Sequence, residues 1–317
     1  MAPTSPLLRR CVTPLVLHEK LTITHNAALY RARPTQQPSN SKGSTTTSQM
    51  TFPEFVVVKD IRLATMDSVD HRYSDDPMQE LRVATRLLHT GGHPNVVRFY
   101  GAYLESDAVR FVMEDCQSGD LYDHLKRQPE HRLPQRDALN VLLHVTRGLR
   151  YLHKLGFAHR DVSIENVLIG PDGQFKLCDF GLSSSADVVC LDTVGKSHYM
   201  APEVVAKQSP YDPVRADIWA LGILLFTMLT GSPLVQVASP TASEFQAFRL
   251  VGCRGVLNLW KLDHLVGFAT VDLLDRMLEP DPSKRLRSTA EILEHPALLA
   301  AAARELNVSR TVTSTEL

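Results

Sequence analysis

Three observations point to an α+β fold in two unequal parts. Up to about Asp115 the apolar residues fall in short β-branched or aromatic runs separated by polar and turn segments, as in a small sheet, with a single helical pattern among them. Beyond that point apolar positions recur at the helical spacing over long stretches, as in packed helices. A chain of 317 residues with 44% hydrophobic content is long enough for two lobes or one large domain, and it can bury a sizeable core.

Residues 1–14 are Pro-rich and read as a flexible N-terminus. A first lobe over 15–115 opens with two short strands around a turn, Val16 to Arg33. Residues 34–49 are Ser, Thr, Gln and Pro without periodicity and read as a disordered loop. Phe55-Val56-Val57-Val58-Lys59 reads as a strand ending on a cation, and a lone Lys in a buried strand is costly unless paired or bound to phosphate. After a polar insertion at 67–76, a helix opens near Pro77 with Leu81, Ala84, Leu87 and Leu88 on one face and Glu80 beside that stripe. His93-Pro94-Asn95-Val96-Val97 ends it and leads into further strands.

A second lobe covers 116–299. Asp120, between Gly119 and Leu121, is placed to cap a helix. Asp137 to Leu155 is amphipathic, with Leu139, Leu142, Leu143, Thr146, Leu149 and Leu152 on its stripe. The longest apolar run, Ile218 to Leu229, is too short to span a bilayer and reads as a buried helix. Residues 300–317 read as an Ala-rich, polar tail.

A formal net charge of -1 provides no global field for nucleic acid or an anionic membrane, so neither is expected as a partner. Five cysteines without a Cys-x-x-Cys pair argue for a reduced compartment and against a zinc ribbon or disulfide scaffold. Arg9-Arg10 has no long apolar core after it, so no secretory signal is expected and the cytoplasm is the expected location.

The chemistry concentrates in His159-Arg160-Asp161-Val162-Ser163-Ile164-Glu165-Asn166, the apolar Val167-Leu168-Ile169, and then Asp179-Phe180-Gly181. A carboxylate and a carboxamide five positions apart, followed by a strand and a second carboxylate ahead of Gly, suit metal-assisted phosphoryl transfer. One Asp accepts a hydroxyl proton, while Asn and the other Asp offer hard oxygen ligands to Mg²⁺.

These residues, with Ala201-Pro202-Glu203 downstream, resemble the eukaryotic-type protein kinase family and its serine/threonine members, whose loops read His-Arg-Asp-x-x-x-x-Asn and Asp-Phe-Gly. The resemblance implies a β-rich small lobe, a mainly helical large lobe and ATP-dependent phosphorylation of protein Ser/Thr. It makes Asp161 the base, Asn166 and Asp179 the Mg²⁺ ligands, Lys59 the partner of the α/β-phosphates and Glu80 the residue that holds Lys59. Met113 becomes the gatekeeper, with backbone around Glu114 and Cys116 on adenine and Leu21, Leu29, Asp120 and Leu168 also in the nucleotide site. Asp217 is implied to accept hydrogen bonds from the catalytic-loop backbone, and Arg285 to pair with Glu203.

The chain departs from the family pattern at several points. Thr22, Thr24 and Ala27 stand where the family's lid carries glycines, which let backbone amides approach phosphate. Ser163 replaces the Lys usual two residues after the catalytic Asp, and Lys196 replaces the Thr usual after Gly195, so cation and hydroxyl are expected to have traded places. Asp192 falls where an activation-segment phosphate would meet Arg160, which implies activity without phosphorylation of that segment. Glu165 and Asp120 form an acidic patch implying substrates basic around the phosphoacceptor, Cys178 reads as a buried thiol, and the role of Cys190 and the oligomeric state stay open. The missing glycines and Ser163 support an alternative, a pseudokinase acting as a nucleotide-binding or scaffolding module. A small-molecule phosphotransferase is disfavoured by Ala201-Pro202-Glu203 and Arg285.

Overall fold

The computed structural model describes residues 14–23, 27–35, 53–63, 76–105, 107–207 and 210–315. Thr24, the segments 1–13 and 36–49, the insertion 67–75 and the last two residues lie outside them.

The first lobe is a five-stranded antiparallel sheet in the order β1-β2-β3-β5-β4, built from β1 (Leu15–Ile23), β2 (Ala27–Pro34), β3 (Val56–Arg62), β4 (Phe99–Glu105) and β5 (Ala108–Glu114). Helix α1 (Pro77–Thr90) packs on β4 and β5 through Leu81, Val83, Ala84 and Leu87. Asp76 caps it by accepting from the N–H groups of Met78 and Gln79, Pro77 takes the first turn, and Gly91 ends it in the left-handed conformation.

The second lobe is helical: α2 (Leu121–Lys126), α3 (Gln135–Lys154), α4 (Pro202–Ala206), α5 (Pro213–Thr230), α6 (Ser243–Leu259), α7 (Phe268–Met277), α8 (Thr289–Leu293) and α9 (Pro296–Thr315). Two small hairpin-like pairs lie under the cleft: β6 (Phe157–Ala158) with β9 (Ser184–Ser185), and β7 (Val167–Ile169) with β8 (Phe175–Leu177). The expected stripe of α3 is buried throughout, and β8 stitches the lobes together, with Leu177 bonded to both Asn95 O and Val97 N.

The apolar run 218–229 is the buried helix expected, part of the longer α5, whose 18 residues are long and apolar enough to cross a membrane. It is apolar all round because it fills the lobe's core against α3 and α7. Two expectations need correction. The strand expected to end at Lys59 runs on to Arg62, because Asp60, Ile61 and Arg62 keep pairing with β5. The tail expected from residue 300 is part of a helix, because α9 runs through that boundary. It packs on α3 through Leu298 and Ala301, and Glu305 pairs with Arg147 (2.7 Å) and His144 (3.0 Å).

Candidate active site

Strand alternation sends Val57 and Lys59 to the same face of β3, toward the cleft. Lys59 is buried, and its Nζ lies 2.8 Å from Glu80 Oε2 and 2.9 Å from Asp179 Oδ1. Glu80, fully buried in the first turn of α1, thus joins the helix to the sheet, while Asp179 joins both to the lower lobe. Burial alone would raise the Asp179 carboxyl, but the adjacent Lys59 charge and hydrogen bond outweigh it and hold the group below its ordinary range.

Asp179 sits at φ +61°, an unusual backbone setting for a non-Gly residue. The turn drives Phe180 into the core between Phe99 and His159, with ring centroids 6.0 and 5.4 Å away, and Gly181 O accepts from Asp76 N at 2.9 Å. The start of α1 and the Asp-Phe-Gly turn are therefore held as one unit.

Asp217, projecting from the buried α5, fixes the catalytic loop from below. It accepts from His159 N at 2.8 Å and Arg160 N at 2.7 Å, and pairs with His153 Nε2 at 2.8 Å. His159 Nδ1 accepts from Asp161 N and its Nε2 donates to Cys178 O, which sets the tautomer. Asn166 donates its amide to Asp161 O (2.8 Å) and Oδ2 (2.6 Å), so its own carbonyl oxygen is left for a cation.

Lys196 reaches the same carboxylate from the activation segment. Its Nζ is 3.1 Å from Asp161 Oδ2 and 2.8 Å from Ser163 Oγ, and its backbone N–H donates to Asp161 Oδ1 at 3.3 Å. Gly195 makes this approach feasible: it adopts φ +94°, and a Cβ there would lie 2.7 Å from Arg160 O. Arg160 turns the other way and pairs with Asp192 at 2.5 Å, while Tyr211 donates to Asp192 O and exchanges backbone bonds with Cys190. Further along, Arg285 grips Glu203 with two bonds of 2.7 and 2.9 Å.

Between the lobes lies a cleft of about 420 Å³. Leu21, Leu29, Lys59, Met113, Glu114, Cys116, Asp120, Leu168 and Asp179 all line it, together with Asn166. Asp161, Ser163 and Lys196 adjoin it through Asn166. Asp120 caps α2 by accepting from Asp123 N, and burial is the first cause of its raised carboxyl pKa. The Glu114 N–H is engaged by Arg98 O, so any donor to a bound base must come from elsewhere in this stretch. Burial, reinforced by Glu114, pushes the Cys116 thiol up to about 12, and burial pushes Cys178 well up too. Cys190 is buried.

Sequence reasoning missed Val57 and Val97 as walls of the cleft and the packing of Phe180 between Phe99 and His159. Val57 was readable from its two-residue spacing to Lys59. The other two contacts arise only when the lobes close.

A protein kinase domain model matches residues 44–298, most of the chain, beginning after the hairpin that lacks its glycines. The chain is 35% identical over 214 residues to Serine/threonine-protein kinase CHK1 of Saccharomyces cerevisiae, covering 65% of this chain and 40% of that protein. It is 33% identical over 229 residues to human Ribosomal protein S6 kinase alpha-2, covering 70% and 30% respectively. For Calcium-dependent protein kinase 2 of Oryza sativa the figures are 33% over 244 residues, 74% and 43%. In each case the match spans less than half of the relative. Sheet, helices and cleft define a two-lobed phosphotransferase architecture. The chain belongs to the eukaryotic-type protein kinase family.

Proposed function

We propose that this protein transfers the γ-phosphate of ATP to Ser or Thr hydroxyls of protein substrates. The observation that carries this reading is the buried Lys59, which bridges Glu80 and Asp179 at one end of a cleft whose other end holds Asp161 and Asn166. A buried ammonium between two carboxylates is a preset phosphate clamp. Leu21, Leu29 and Leu168 offer apolar walls to a base, and Met113 bounds the cleft at the back.

The donor set fits Mg²⁺, since the Asp179 carboxylate and the free Asn166 carbonyl oxygen are hard ligands facing one space. Bound there, the ion would neutralise phosphate charge. Asp161 orients the incoming hydroxyl and takes its proton, and Asn166 holds Asp161 in place through two hydrogen bonds. Names of relatives as serine/threonine kinases support the hydroxyl class. Glu165 and Asp120, two carboxylates lining the same cleft, support a preference for substrates with a basic residue near the phosphoacceptor.

The Arg160–Asp192 pair supports turnover without phosphorylation of the activation segment, and phosphatase treatment is expected to leave the rate unchanged. Thr22, at the rim of the cleft where the family has glycine, favours the scaffold alternative. Labelled phosphate transfer from Mg·ATP to a generic basic protein separates the two. Wild type is expected to transfer. Asp161→Asn should lose about 10³-fold in turnover while calorimetry still detects nucleotide. A wild-type protein that binds Mg·ATP without transferring would leave only the scaffold.

A further inference from the structure

We infer that Lys196, a residue of the activation segment, supplies the cation that meets the transferring phosphoryl group, and that Ser163 is the hydroxyl that positions it. This deepens the kinase reading above and rests on it.

Phosphoryl transfer spreads negative charge over the equatorial oxygens, so a cation is needed beside the attacking hydroxyl as well as on the α/β side, where Lys59 sits. The catalytic loop itself offers only Arg160, whose guanidinium is turned to Asp192. Among the described residues, Lys196 is the cation paired with the Asp161 carboxylate.

Its geometry suits contact with a bound phosphate. Of three ammonium N–H groups, one reaches Asp161 Oδ2 and one Ser163 Oγ. Glu165 Oε2 is ion-paired with the ammonium at 3.7 Å, beyond hydrogen-bond length, which leaves a donor for a phosphoryl oxygen. The ammonium is also pinned at both ends of its residue, because the Lys196 N–H and Nζ bind the two oxygens of one carboxylate. Ser163 is fully buried and small, which makes room for the incoming side chain.

In the step itself, the substrate hydroxyl oxygen bonds to the γ-phosphorus as its proton passes to Asp161. The bond from that phosphorus to the β–γ bridging oxygen breaks, and its electron pair leaves with ADP. Lys196 contacts a non-bridging oxygen throughout and is not consumed. An essential charge then rides on the segment rather than on the loop beneath it, so order in residues 192–196 and competence for transfer become one property.

The test is a reciprocal exchange in the full chain, read by steady-state kinetics and by calorimetry with Mg·ATP. Lys196→Met is expected to lower kcat about 10²- to 10³-fold while KM for ATP moves less than about 3-fold, the signature of a contact made in the transition state. Ser163→Lys combined with Lys196→Thr returns the charge from the loop side, and is expected to recover activity to within about 10-fold of wild type. Lys196→Met at wild-type turnover would overturn the inference. So would a folded, nucleotide-binding double variant no more active than Lys196→Met, since Lys196 would then be a tether of the segment only. In either case transfer by wild type and its loss in Asp161→Asn would leave the kinase reading standing, whereas a wild type without transfer removes both.

Discussion

The floor of the cleft and its roof are secured very differently. Below, Asp217 ties the catalytic loop to the buried α5 with two backbone bonds and one ring nitrogen, and Asn166 and Lys196 converge on Asp161 while Ser163 accepts from Lys196. Above, β1 is an edge strand with two register shifts against β2, and it leaves Val16, Leu17 and Leu21 exposed. The side chains around Asp161 are fixed whether or not the roof closes tightly. On the kinase reading proposed above, the difference implies that the unusual roof should show in nucleotide affinity more than in the chemical step.

The strongest way to break that comparison is from beneath. Asp217→Ala leaves the His159 and Arg160 N–H groups and the His153 ring without their acceptor. At roughly 1–3 kcal/mol for each orphaned buried donor, thermal unfolding should show a fall in Tm on the order of 10 °C, and turnover should vanish. A Tm within a degree or two of wild type would mean the floor is not held from α5. Asp192→Asn is milder. It weakens the charge that Arg160 meets and loosens the segment, and about a 10-fold loss of kcat is expected with nucleotide affinity unchanged.

The roof gives a smaller effect of opposite sign. Thr22→Gly removes a side chain at the cleft rim, and backbone amides should approach phosphate more closely. KM for ATP is expected to fall about 3-fold with kcat unmoved; a rise in kcat instead would place the roof in the chemical step.

The smallest effect lies far from the cleft. Burial would raise the Glu305 carboxyl, but its bonds to Arg147 and His144 hold it below its usual value. Burial is the chief cause that lowers the His144 pKa, with Nδ1 accepting from Phe175 N and Nε2 facing Glu305. A carboxyl with a depressed folded-state pKa stabilises fully above its unfolded value and loses that contribution as pH falls through the folded one. Glu305→Gln should therefore lower Tm by about 1–3 °C at pH 7, and the gap to wild type should close as pH falls through the lowered folded-state value, beneath the ordinary glutamate range.

Much of the architecture was legible because local pattern and tertiary need coincide. The stripe on α3, the strand that carries Lys59 and the opening of α1 at Pro77 are each written in a short window, although that strand runs on past Lys59 to Arg62. The spacing of Asp161, Asn166 and Asp179 likewise marks residues that the fold brings to one side of the cleft. The traded Lys196 and Ser163 could be read as a departure from pattern, but the chelation of both Asp161 oxygens depends on the left-handed Gly195, which no periodicity encodes. The last helix escaped because the apolar residues it buries among the described side chains are few and small, Ala297, Leu298, Ala301 and Ala302, and its attachment by Glu305 spans more than 150 residues. Phe180 is visible in its motif, yet its packing against Phe99 exists only across the two lobes.

The course of α9 bears on how the protein is produced in the laboratory. A recombinant version trimmed at residue 298, where the family match stops, would sever that helix inside its first turn. Half-buried Arg147 and the ring of His144 would then face water without Glu305, and Ala301 would no longer cover α3. Ending the polypeptide after the helix instead of at the motif boundary keeps the Glu305 ion pairs and the packing of α9 on α3.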